Sequence, residues 1–204
     1  MNNPGTLILI NGSSSSGKST LLRAFQDYMH TEHNIDYWYF GTDIGFNMLP
    51  PITVSKWETA YLHFEIKTKD SKPYPIFKPT KSFLKYLLAR YKAIKTFLDL
   101  GYNIIADEVV WSQEYIEYLT QVFQQSNIYL IKTFAENPIL KNREKKRKDR
   151  PENLWKSSTD FSHINMHYDL EIDTSSMELT KICTQLKNLI TTSQPKAIKN
   201  LKST

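Results

Sequence analysis

Gly12-Ser13-Ser14-Ser15-Ser16-Gly17-Lys18-Ser19-Thr20 fits G-x-x-x-x-G-K-[ST] without a mismatch. An apolar strand-like run, Thr6-Leu7-Ile8-Leu9-Ile10, precedes it. Behind it Leu21, Leu22, Phe25, Tyr28 and Met29 recur at helix spacing. This strand–loop–helix setting is the context that identifies a phosphate-binding loop. Glycine at 12 and 17 allows backbone angles closed to other residues. Consecutive backbone N–H groups, together with the positive dipole end of the new helix, then form an anion nest. Lys18 is expected to reach the β- and γ-phosphates, and the Ser19 hydroxyl to ligate Mg²⁺. A serine-rich turn that happens to contain Gly-Lys-Ser is the bland alternative, and the flanking elements weigh against it. The chain reads as a binder of a nucleoside triphosphate.

Outward from the loop, strands alternate with helices. Tyr37–Phe40, Asn103–Ala106, Ile128–Thr133 and Tyr168–Ile172 read as further strands. A long helix is expected from Thr80 or Ser82 to about Leu100, with Phe83, Leu84, Leu87, Leu88, Tyr91, Ile94 and Leu98 on one face and Gly101 as its stop. Ser112 opens another helix, a charged helix spans about Pro138–Lys148, a short one spans Asp160–His167, and a last one ends at Pro195. The pattern predicts an α/β fold, a parallel sheet with helices on both faces, as one domain over residues 1–195. A small hairpin inserted near 56–79 and a loose basic tail over 196–204 complete the expected layout.

The length of 204 residues suits a sizeable core, and 40% hydrophobic content argues against disorder. A single cysteine, Cys183, excludes an intramolecular disulfide and fits a reducing, cytoplasmic setting. The apolar run Leu7–Ile10 is far too short for a membrane span or a signal-peptide core. The net charge is +5, and Lys141–Arg150 alone carries seven basic residues against two acidic ones. A local basic cluster calls for a local anion, either nucleotide phosphate or nucleic acid. No RNA-binding signature accompanies it, which disfavours nucleic acid. Homo-oligomerisation stays open.

In parallel sheets ligands bind beyond the carboxyl ends of the strands. Gly12–Ser19, Asp43 and Asp107-Glu108 all stand at such ends. Asp43 is either a base for an acceptor hydroxyl or an N-cap after Gly41-Thr42. Asp107 occupies the place of a carboxylate that holds Mg²⁺, and Glu108 shares that role, orients substrate or is a plain loop residue. Arg143, Arg147 and Arg150 are spaced to share one helical face and clamp a phosphoryl group. His163 and His167 stand four apart without any accompanying metal-ligand pattern. His163 could touch substrate or nucleotide, though ordinary packing is the commoner fate. No Asn/Thr-Lys-x-Asp segment follows the fourth strand, which disfavours a GTPase.

These pieces resemble the chloramphenicol phosphotransferase family, P-loop kinases that phosphorylate an antibiotic hydroxyl. The matching stretches are Leu9–Ser19, Phe40-Gly41-Thr42-Asp43, Gly101–Val109, Arg143-Glu144-x-x-Arg147-x-Asp149-Arg150, and His163 through Tyr168-Asp169-Leu170-Glu171-Ile172-Asp173-Thr174. The resemblance implies ATP and Mg²⁺ as cofactors, a small-molecule hydroxyl as acceptor and a sheet ordered 2-3-1-4-5. It implies Asp43 as the base, and Arg143, Arg147 and Arg150 in a mobile lid near 137–151. It places Asp173-Thr174 beside the adenine. It leaves the acceptor to the segments Ile44–Pro79 and Val109–Trp111. A nucleoside or shikimate-type kinase is the alternative within enzymes. A nucleotide-dependent RNA- or protein-binding regulator acting through 141–150 is the alternative outside them.

Overall fold

Five short apolar runs, each bounded by turn residues, pair in parallel around the first. The computed structural model describes residues 3–48, 50, 62–69, 72–147, 152–176 and 178–201. Among these β1 (Thr6–Gly12) lies between β5 (Asn103–Glu108) and β6 (Asn127–Phe134). The edges are β2 (Tyr37–Tyr39), beside β5, and β7 (Leu170–Asp173), beside β6. Counted among themselves in chain order, the five strands stand 2-3-1-4-5. The gap in their labels is filled by an antiparallel hairpin, β3 (Leu62–Lys69) and β4 (Lys72–Pro79), which forms its own small sheet.

Alternation along the strands divides the core in two. Ile8, Ile10, Ile105, Tyr129, Ile131 and Ile172 face α1 (Lys18–His33) and α7 (Leu179–Thr192). Leu7, Leu9, Ile104, Ala106, Ile128 and Leu130 face α3 (Lys81–Asp99) and α4 (Gln113–Phe123). Both sets are essentially without solvent exposure, and each leucine or isoleucine among them contributes roughly 1.5–3 kcal/mol by burial. The Thr80 hydroxyl accepts from Phe83 N (3.2 Å) to start α3, and Gly101, at φ 91°, ends the segment in a left-handed turn.

Three expectations need correction. The chain after Pro195 is not a loose tail through Leu201. Ala197–Asn200 forms a short helix, α8, that buries Ala197 and Ile198, and Leu201 is buried beside it. The Asp169 carboxylate ties it down, accepting from Lys196 N (2.7 Å) and Ala197 N (3.0 Å) at one oxygen and from Leu130 N (2.9 Å) at the other. The charged helix, α5 (Asn137–Lys145), stops before Arg147. The short helix expected at Asp160–His167 lies earlier, as α6 (Leu154–Phe161), with turns over 162–165. The last two share a cause. Glu144, near the end of α5, accepts from Asn153 N and Trp155 N, both at 2.8 Å. Its carboxylate thereby serves the orphan amides at the start of α6 and turns the chain back. No helix among the described residues is long and apolar enough to cross a membrane.

Candidate active site

The phosphate loop is held from three sides. Gly17 has φ 91° and Ser15 has φ 64°, both left-handed. For Ser15 that conformation carries a strain of roughly 1–3 kcal/mol, the kind that persists where surrounding structure enforces it. Gly12 is needed for closeness rather than for its angles. A Cβ there would stand 2.4 Å from Thr133 Oγ1 and 2.6 Å from Ser16 Oγ. Those two hydroxyls are themselves 2.9 Å apart and hydrogen-bonded. The Lys18 ammonium folds back along the loop and donates to Gly12 O (2.8 Å) and Ser13 O (2.9 Å). Ser14 N donates to Ser158 Oγ (2.8 Å), so α6 rests directly on the loop. Ser19 and Thr20 face solvent at the start of α1.

Thr174, fully buried after β7, closes the third side. Its backbone N donates to Phe134 O (2.8 Å), and its hydroxyl lies 2.8 Å from Ser16 O. Arg143 forks across it, donating to Thr174 Oγ1 (2.9 Å) and Thr174 O (2.6 Å), and reaches Ser15 O at 3.4 Å. Asp173 is exposed, and its bonds with the Ser175 hydroxyl and amide hold its carboxyl below the usual range. Arg147 is exposed beyond the end of α5, so the four-residue spacing does not place it on one helical face with Arg143. Arg150 lies outside the described residues, as do Trp57 and Tyr61 of the expected acceptor segments.

Across the crevice, Asp107 and Glu108 meet opposite fates because neighbours on a strand point to opposite faces. Asp107 is half-buried on the α1 side and accepts from Tyr39 Oη (2.9 Å). Glu108 is buried on the α3 side, where it forms an ion pair with Arg90 and accepts from Tyr91 Oη (3.1 Å) and Thr42 Oγ1 (2.9 Å). Burial pushes the Glu108 carboxyl above its usual range while Arg90 pulls it down. Glu108 is therefore neither a loop residue nor placed to hold a metal. Arg90 also donates to Thr42 Oγ1 (2.5 Å), and Tyr86 Oη donates to Thr42 O (2.9 Å).

Thr42 begins α2 (Thr42–Asn47), and Asp43 is the next residue, exposed within the first turn. Asp43 is not the residue preceding that helix, as the N-cap reading requires. Its charge reaches Tyr39, whose phenol is raised by burial first, then by Asp107 and by Asp43. Thr42 Oγ1 lies 3.4 Å from Asp107 O and 2.9 Å from Glu108 Oε1, so Asp43 follows a residue fixed at the end of β5, the strand beside β1.

The chain matches the model of the "Chloramphenicol phosphotransferase-like protein" family over residues 5–191. It belongs to that family. A relative in Mycobacterium tuberculosis (strain H37Rv), provisionally named an O-phosphotransferase, is 28% identical over 186 residues, covering 89% of this chain and 80% of its own. Among solved structures, an APS kinase of Mycobacterium tuberculosis in complex with AMPPNP and APS superposes with a TM-score of 0.59 at 12% identity, covering 93% of this chain and 99% of its own. A shikimate kinase from Acinetobacter baumannii in complex with shikimate gives 0.56 at 12% identity, covering 93% and 94%. At these identities the likeness is one of fold, that of the P-loop kinases. Within the family frame, the loop is legible in the sequence as a continuous strand–loop–helix stretch. The contacts of Arg90, Thr42, Glu144, Ser158 and Asn11 are not legible there. Each of these acts through a partner that lies far from it in sequence or outside any motif.

Proposed function

We infer that this family member is a kinase that moves the γ-phosphate of ATP to a hydroxyl of a small molecule. The observation that carries the reading is the pairing of two rigidly held groups across one crevice. The Lys18 loop closes β1, and Asp43 follows a Thr42 pinned by Arg90, Glu108 and Tyr86. In this reading the loop amides and Lys18 hold the phosphates. The acceptor O–H gives its proton to the Asp43 carboxylate as its oxygen bonds the γ-phosphorus. The bond from that phosphorus to the β-phosphate oxygen breaks, and ADP leaves.

Ser19 and Asp107 are hard oxygen donors suited to Mg²⁺, which keeps most of its ligands from water and phosphate. That ion would neutralise charge between the β- and γ-phosphates. Arg143 braces the loop through Thr174, and in this reading Arg147 and Arg150 bring further positive charge to the phosphates. In this reading Asp173 borders the adenine, and Thr174 supports the loop through Ser16 O. The test is transfer of label from γ-labelled ATP across a panel of chloramphenicol-type antibiotics, nucleosides, shikimate-type acids and cell extract. The reading expects a labelled small molecule. ATP binding with label left only on nucleotide and free phosphate counts against it.

A further inference from the structure

Nothing in the transfer chemistry above uses His163, yet its ring is wired to the phosphate loop. Asn11, the residue before Gly12, accepts from Val110 N at Oδ1 (3.1 Å), which fixes which way its amide points. Its Nδ2 donates to Ser162 O (2.6 Å) and Tyr168 Oη (2.7 Å). An amide nitrogen only donates, so the Tyr168 oxygen accepts there. The single phenol proton is then directed to the other partner, His163 Nδ1, at 2.7 Å. This network assigns Nδ1 as the acceptor and the proton of the neutral ring to Nε2.

Two lysine ammonium groups and one carboxylate lie close enough to the ring to act on it. Parallel pairing places Asn11 level with Lys132, and Lys132 level with Glu171, so the three side chains share one face of the sheet. Lys132 bonds Glu171 (2.8 Å) and lies 5.9 Å from the Tyr168 ring centroid. Burial first, then the ammonium groups of Lys132 and Lys18, hold the imidazole pKa down to about 4, with Glu171 opposing. The ring stays neutral near pH 7 and lies within reach of the field of the loop lysine. Its Nδ1 lone pair is occupied by Tyr168, so what remains is an N–H donor rather than a metal ligand or a base.

We propose that His163 donates a hydrogen bond through Nε2 to the terminal phosphate of the bound nucleotide, with Asn11 and Tyr168 as the positioning residues that set its tautomer. This rests on the nucleotide reading of the loop. A neutral, pre-oriented donor at the γ-position distinguishes ATP from ADP and strengthens as charge shifts in transfer.

Two measurements test it. Nitrogen NMR of the histidine rings in the nucleotide-free protein is expected to show His163 protonated at Nε2 from pH 8 to 5, and a mixture of tautomers in Tyr168→Phe. Protonation at Nδ1 in the wild type overturns the proposal. Calorimetry with ATP and with ADP is then compared for wild type, His163→Phe and His163→Gln. The expected result is about a tenfold loss of ATP affinity in His163→Phe with ADP unchanged, and recovery of most of it in His163→Gln, whose amide N–H can replace the ring donor. A His163→Phe protein that binds ATP as tightly as wild type overturns this proposal alone. A wild type that binds neither nucleotide overturns the loop reading as well.

Discussion

Arg90 and Glu108 form a buried ion pair that grips Thr42, the residue before Asp43, from both sides. A carboxylate and a guanidinium placed this deep are costly to desolvate, and each is tolerable only while the other is present. The pair links α3, the end of β5 and the first turn of α2. The orientation of the proposed base is thus set by two buried residues behind it.

Replacing Arg90 by Met leaves Glu108 buried without its partner. The expected cost is about 3–5 kcal/mol in urea unfolding. The double variant Arg90→Met, Glu108→Gln should recover part of it, because the stranded charge is removed. A double variant no better than the single one would mean that the loss comes from packing.

Glu144→Ala should loosen the start of α6 rather than the sheet. Losing a carboxylate that serves the Asn153 and Trp155 amides is expected to cost about 1–2 kcal/mol. Hydrogen exchange at residues 153–155 should accelerate, while exchange in β1 follows only the global stability. Glu144→Gln keeps one acceptor oxygen and should fall between the two.

Stability should decline on acidification through His163. Its folded-state pKa lies at about 4, below the ordinary 6.5, because burial and the ammonium groups of Lys132 and Lys18 disfavour the charged ring, against Glu171. The unfolded chain takes up a proton as the pH falls below about 6.5, and the native chain does not. The stabilisation is therefore complete above 6.5 and is lost as the pH falls toward 4. With partial solvent screening its size is roughly 2 kcal/mol. In His163→Gln the fall in unfolding free energy between pH 7 and pH 4.5 should be shallower by that amount.

Arg143→Lys should behave much like Arg143→Ala. The guanidinium donates to both the hydroxyl and the carbonyl of Thr174, and an ammonium cannot reproduce that fork. Either change is expected to weaken ATP binding by about three- to tenfold, read by calorimetry, by releasing Thr174 from the back of the loop.

What was legible in the sequence is what depends on neighbours in the chain. Leu7–Ile10 followed by Gly12–Thr20 carries its strand, loop and helix in one stretch, and the polar residues Gly41-Thr42-Asp43 and Asp107-Glu108 mark the ends of two further apolar runs. The sheet order came only with the family resemblance. What was not legible depends on partners far away. Arg90 sits among apolar residues of α3, and its burial is explained by Glu108, eighteen positions on, and by Thr42. The start of α6 was missed because its cap, Glu144, lies on another helix. The tail after Pro195 looked loose because Asp169, which anchors it, is 27 residues earlier.

The most direct test of the central claim is transfer of labelled γ-phosphate by wild type and Asp43→Asn, with ATP affinity measured in parallel. The account predicts that wild type labels a small hydroxylated acceptor. Asp43→Asn should bind ATP equally well and lose about 10²- to 10⁴-fold in transfer rate. Equal transfer by both proteins, or none by a wild type that binds ATP, would contradict it.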